Sequence, residues 1–208
     1  MKFPISRSLV LVVVVLGTAG TLWAASDSTD VTYPEPGTVD RSAGLAAFER
    51  IYEVASHPRC SNCHVGESGI PMWSGPSYGE TRPHGMKIQA GESRIGAEFL
   101  TCGTCHVKST RPQIIPHAAP RANGHWQLAP AGAGWFGKPS NWICEQLRDP
   151  ARNGGMDYQK LANHAGHDAV LQWAWSPGPE REPAPYSVAE HTMDIHLWGA
   201  AGQPCPED

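Results

Sequence analysis

Cys60-Ser61-Asn62-Cys63-His64 and Cys102-Gly103-Thr104-Cys105-His106 are the two stretches on which the reading of this chain turns. Each sets two thiols three residues apart and an imidazole directly after the second. On one turn of helix that spacing brings both thiols to the two vinyl groups of a porphyrin, and the next ring faces the iron. This is the attachment pattern of c-type haem. Two Cys pairs could instead hold a structural zinc, but their separation is long for a zinc ribbon, and zinc gives no reason for a His after each pair. A thioredoxin-like redox pair would want a βαβ setting, which the sequence lacks. A plain disulfide within each pair is a third option. The expectation is two covalently bound c-type haems, held by Cys60, Cys63, Cys102 and Cys105, with His64 and His106 as proximal iron ligands.

The composition around these motifs fits that expectation. The 208 residues include 22 Gly and 19 Pro, which excludes a long-helix bundle or coiled coil because both residues break helix interiors. Eight Trp, six Cys and a 40% hydrophobic content argue against simple disorder. The net charge of −4 leaves no basic surface to grip nucleic acid. Porphyrin faces would give the Gly- and Pro-rich loops an apolar surface to pack on, and indole N–H groups could bond to propionates.

The N-terminus reads as an address. Lys2 and Arg7 precede the apolar run from Leu9 to Leu16, and small residues follow to Ala24 and Ala25. This is the order of an export signal peptide over residues 1–25. Trp23 or Leu22 at the −3 position fits cleavage poorly, so an uncleaved anchor is the alternative. The uncharged run over 8–25 is just long enough to span a membrane. Either way the remainder is expected outside the cytoplasm, in the periplasm, where c-type haem is attached. Residues 26–40, with Tyr33-Pro34-Glu35-Pro36-Gly37, read as a linker, and 41–208 as the dihaem domain.

Within that domain the apolar spacing predicts a helix over 42–55 with Ser42 as N-cap, and a short helix over 93–107 capped by Ser93. Pro139-Ser140-Asn141 opens another, stopped by Pro150. A further helix starts near Asp157 and runs to Trp173, and Ser187 caps the last, to about residue 201. The fold class is mainly α, with short helices and long loops wrapped around two haems in a cytochrome c-like manner. Cys144 and Cys205 are left over, and an oxidising compartment favours their pairing.

The distal iron ligands are candidates only. His84 heads them, because Pro83 and Gly85 let its loop approach a ring closely, and His164 follows, sharing a helix face with His167. Met86 and His57 are the runners-up; Met193 and His196 share a face near the C-terminus. His117 and His125 read as solvated or bonded to propionate. Arg82, Lys87 and Arg111 are the cations expected to pair with propionate carboxylates.

From His57 to Pro206 the chain resembles a family of small exported dihaem c-type cytochromes, often labelled isoquinoline 1-oxidoreductase subunits. The resemblance rests on His57-Pro58-Arg59-Cys60, Arg82-Pro83-His84, Trp126-Gln127-Leu128-Ala129-Pro130, Ile143-Cys144-Glu145-Gln146-Leu147, Asp149-Pro150-Ala151-Arg152-Asn153-Gly154-Gly155, His164, Trp173-Ala174-Trp175-Ser176-Pro177-Gly178-Pro179 and Cys205-Pro206. It implies a single dihaem domain and carries over His57, His84 and His164 as the histidines common to the pattern. Gln127 departs from it, since members often have His there. The label reflects association with molybdenum hydroxylases, and nothing in this sequence suggests a molybdenum site.

The expected function is single-electron transfer between a dehydrogenase, a molybdenum hydroxylase among the options, and a downstream respiratory acceptor. An acidic surface would steer a basic partner. Membrane contact is expected only if the N-terminal segment is retained. The alternative is a small dihaem enzyme with one open iron, acting on peroxide, nitrogen oxide or sulfur substrates. A haem-based sensor or assembly factor is a third reading.

Overall fold

Asp40 starts the first helix. Its carboxylate accepts the Ala43 N–H at 2.8 Å and the Ser42 hydroxyl at 2.6 Å. Helix α1 therefore spans Arg41–Ser56, with the cap two residues earlier than the Ser42 expected from sequence. A charged carboxylate both satisfies a free N–H and faces the positive helix end, which a hydroxyl does less well. The computed structural model describes residues 31–207, of which 33–207 fall in one compact unit. The export segment expected over 1–25 and the first part of the 26–40 linker lie outside the described residues.

The described chain is mainly helical. After α1 come α2 (Pro58–Ser61), α3 (Ser140–Arg148), α4 (Pro150–Asn153), α5 (Tyr158–His167), α6 (Ala169–Trp175) and α7 (Val188–Ala200). Two expectations need correction. The helix expected from Asp157 to Trp173 is broken at Asp168, whose carboxylate accepts the N–H groups of Val170 and Leu171 and so starts α6 afresh. The helix expected over 93–107 does not form; only Cys102–Thr104 makes a 3-10 turn. Arg94 and Gly96 take left-handed backbone angles there, and the Ser93 N–H and hydroxyl turn to the Glu98 carboxylate. Local side-chain hydrogen bonds have outcompeted the helical ladder. A two-stranded antiparallel ribbon, β1 (Met72–Trp73) with β2 (Arg82–Pro83), was not expected; it pairs Met72 with Pro83 and Trp73 with Arg82.

The core is built by four helices. Ala47, Phe48, Ile51 and Ala55 of α1 meet Ile143 and Leu147 of α3, Leu161 and Ala165 of α5, and Ile195 and Trp198 of α7. Each large apolar side chain buried in this way contributes about 1.5–3 kcal/mol. Close approach needs glycine at two points: a Cβ at Gly44 would sit on the Ala201 methyl, and one at Gly199 would enter the Tyr158 ring. Cys144 in α3 is joined to Cys205 by a disulfide, as expected, tying the C-terminal strap to the core. Buried Asp194 in α7 is matched by Arg50 of α1 in a bidentate pair. No helix among the described residues is long and apolar enough to cross a membrane.

Candidate functional site

The first Cys motif rides on the junction of α1 and α2. His57 ends α1 and caps α2, its Nδ1 accepting the Arg59 N–H at 3.2 Å. Pro58, with its fixed φ, opens the short helix that carries Cys60. Burial pushes the Cys60 thiol up to about 12, helped by the neighbouring Cys63 thiol. Burial likewise pushes Cys63 up to about 11, with Cys102 as the next cause. Cys102 therefore sits within electrostatic reach of Cys63, so the fold brings the two motifs side by side. Both thiols stay protonated near neutral pH.

His64 is tightly held. Its ring lies flat on Trp135, with centroids 3.5 Å apart and planes 7° off parallel. Its Nδ1 is 2.9 Å from the Ala133 carbonyl, which can only accept, so Nδ1 carries the proton and Nε2 presents its lone pair. Burial pulls its pKa down to about 4, against the opposing pull of that carbonyl. A neutral imidazole with an oriented Nδ1–H is the form in which histidine ligates metals. The Trp135 indole is in turn fixed by donating to Gln146 Oε1 at 2.8 Å.

The second motif opens onto a cavity of about 560 Å³, within the size range of small-molecule and cofactor pockets. Cys63, Cys102, Cys105 and His106 all line it, together with Trp73, Trp126, Trp173 and Leu128. His84 stands opposite His106, with ring centroids 6.0 Å apart. The β1–β2 ribbon sets its position: His84 directly follows β2, and its N–H donates to the Pro71 carbonyl at 2.8 Å. The His84 Nδ1 donates to the Gly85 carbonyl at 2.9 Å, which again leaves Nε2 as the free lone pair. Burial lowers the His106 pKa to about 4, and the nearby His84 adds to the effect.

The remaining candidates are placed differently. His164 is half-exposed on α5, 3.8 Å from Asp168, and close enough to His64 for its charge to be felt there. Met86 is 81% exposed at the cavity rim, in a turn where its φ is 61°. His57 spends its Nδ1 on the α2 cap. His196 stacks on Tyr33, and His117 pairs with Glu180. Of the three cations expected to meet propionates, only Arg82 lines the cavity, while Lys87 and Arg111 are exposed and do not line it. Two arginines that the sequence reading did not single out, Arg59 and Arg181, line it instead, both buried. Arg59 stands in the His57-Pro58-Arg59-Cys60 stretch, whereas no spacing pattern marks Arg181. Among the described residues, no group of three or more His, Cys, Asp or Glu is placed to share one metal ion. Comparison with protein-family models, with curated proteins and with solved structures found no match for this chain.

Proposed function

We propose that this chain is an exported dihaem c-type cytochrome that carries single electrons between a dehydrogenase and a downstream acceptor. The observation that carries the reading is the convergence of the two Cys-Cys-His units. Cys63 of the first unit and Cys102, Cys105 and His106 of the second line one apolar cavity, and His84 lines it too, its ring centroid 6.0 Å from that of His106. The residues fit such a group on three counts. The thiols of each unit stand three residues apart, the spacing for addition to two vinyl carbons, and burial keeps those of Cys60 and Cys63 protonated. His64 and His84 have their Nδ1 protons engaged and Nε2 free. The indole N–H groups of Trp126 and Trp173 are buried without a protein partner, although buried indoles usually have one. A single zinc is less well served, because it needs three or four donors in one place.

Each haem, once bound, would supply a one-electron iron couple tuned by its axial ligands and surroundings. The chain's own part is binding and environment. Cys60, Cys63, Cys102 and Cys105 would fix the rings, and His64 and His106 would hold the irons from the proximal side. His84 would serve the second motif, and His164 is the candidate for the first. The tryptophans would exclude water from the ring faces.

The test is haem content. The full-length chain, expressed in a host that exports it and matures c-type cytochromes, is assayed by pyridine haemochrome and intact mass. Two haems per chain are expected, and none overturns the proposal. Carbon monoxide is then added to the reduced protein. Absence of binding supports two firmly six-coordinate irons and a carrier. Stoichiometric binding at one haem would favour the enzyme with an open iron.

A further inference from the structure

The cavity has an unbalanced wall. Among its lining residues are three arginines, Arg59, Arg82 and Arg181, and no Asp or Glu, in a chain whose net charge is −4. Arg82 is exposed, with its guanidinium over the Trp73 ring. Arg59 is answered from behind by Glu182, with Arg59 NH2 to Glu182 Oε1 at 2.8 Å. Glu182 is also bonded by the Ser77 N–H and hydroxyl. Arg181 has no such answer. It is 7% exposed and makes no ion pair among the described residues.

Its hydrogen bonds go to neutral oxygens only: Nε to the Tyr78 hydroxyl at 3.1 Å, and the two terminal nitrogens to the Pro177 and Ala118 carbonyls at 3.3 and 2.5 Å. A guanidinium has five N–H donors in a rigid fork. Three are used, so one N–H on each terminal nitrogen is left over. A buried charge without a counter-ion costs several kcal/mol, so the position calls for an anion. A second observation points the same way. Trp173, whose ring carries both Arg59 and Arg181 at 5.5 and 5.7 Å, has a buried indole N–H with no partner, and so does Trp126 on the same cavity.

We propose that Arg181, with the Trp173 and Trp126 indole N–H groups, forms a buried carboxylate-binding site whose occupant is a propionate of the haem held by Cys102 and Cys105. The inference rests on the dihaem reading and deepens it. A paired terminal N–H fork matches a carboxylate in a bidentate manner. The covalent anchor keeps the propionate at that wall permanently, whereas a free anion would have to bind from solution. Arg181 is thereby a positioning residue that also sets the charge felt by one iron and not by the other. The buried cation disfavours the more positive ferric state, so its removal lowers the potential of that haem.

The experiment uses the holoprotein and begins with haem content. If no haem is attached, both the dihaem reading and this inference fall. With two haems present, the two one-electron midpoints are measured by spectroelectrochemistry for wild type, Arg181→Gln and Arg181→Lys. Arg181→Gln is expected to lower one midpoint by at least a tenfold change in the redox equilibrium, about 59 mV for one electron. The other midpoint stays, and Arg181→Lys retains most of the wild-type value. Unchanged midpoints in folded Arg181→Gln overturn this inference alone.

Should Arg181→Gln fail to accumulate, the double variant Trp126→Phe, Trp173→Phe keeps the rings and removes only the N–H donors. Its resonance Raman propionate-bending band is expected to shift, and an unmoved band counts against the site. Added acetate provides the last arm. A saturable spectral change in wild type that Arg181→Gln abolishes would assign the site to a free carboxylate and overturn the propionate assignment.

Discussion

A histidine is a ligand or a bystander according to which nitrogen its neighbours engage. His64 and His84 each spend Nδ1–H on a carbonyl, and His57 instead uses its Nδ1 as an acceptor at a helix cap. On the proposed dihaem reading, His84→Ala is expected to convert one iron from low to high spin, read by optical and electron paramagnetic spectra. His164→Ala is expected to do the same at the other iron. If neither does, the distal ligands lie among Met86, His57 and the α7 residues. His191 makes a different prediction. It is 7% exposed, packs against Trp175, and burial lowers its pKa to about 4. The folded value lies below the ordinary 6.5, so its neutral form favours folding above pH 6.5 and the advantage is lost as pH falls toward 4. The full effect is about 3 kcal/mol. His191→Gln should flatten that part of the stability curve, measured by urea denaturation at pH 7 and pH 4.5. His84 was legible in the sequence because proline and glycine flank it. Arg181 and His191 were not, since nothing in their spacing tells that the chain buries them.

Helices were legible where a cap and an apolar face coincide, as at Ser187 with Glu190 for α7, where both halves of the capping box are made. They were misread where a side chain offered the backbone another partner: Asp168 restarts a helix, and Ser93 with Glu98 prevents one. Apolar periodicity cannot register such competition, because the losing conformation has the same pattern. The ribbon of β1 and β2 was invisible for a related reason. Two residues per strand are too few to alternate, and the pairing joins residues nine and eleven apart in the chain. The pairing of Cys144 with Cys205 was readable by elimination in an oxidising compartment. Replacing both with Ser is expected to lower stability by about 4 kcal/mol, from the entropy of a 61-residue closure. Denaturant midpoints with and without reductant check it, and the haem spectra should not change.

In the described unit, core and cavity are built by different parts of the chain. The hydrophobic core uses α1, α3, α5 and α7 and the C-terminal strap, while the cavity is lined chiefly by loops from 58 to 128 and shares no residue with that core. Between α2 and α3 the described chain has no α-helix at all. A stretch so long with only a two-residue ribbon and single 3-10 turns is uncommon inside a compact unit unless function or a bound group organises it. A variant with Cys60, Cys63, Cys102 and Cys105 all changed to Ser is therefore expected to keep most of its far-UV helical signal. Its amides over 65–130 should lose hydrogen-exchange protection. Collapse of the helical signal along with the loops would mean that the core does not stand alone.

The bridge between Cys144 and Cys205 also imposes a timetable. Thiols leave the ribosome in chain order, and Cys205 follows Cys144 by 61 residues. At about 5–20 residues per second that is roughly 3 to 12 seconds. Throughout the interval every other thiol present is a wrong partner for Cys144, and the four free cysteines all lie upstream of it. An oxidant that meets the chain in those seconds can only make pairings the mature fold does not contain. The order of the six cysteines along the chain thus favours oxidation only after the last of them has been made.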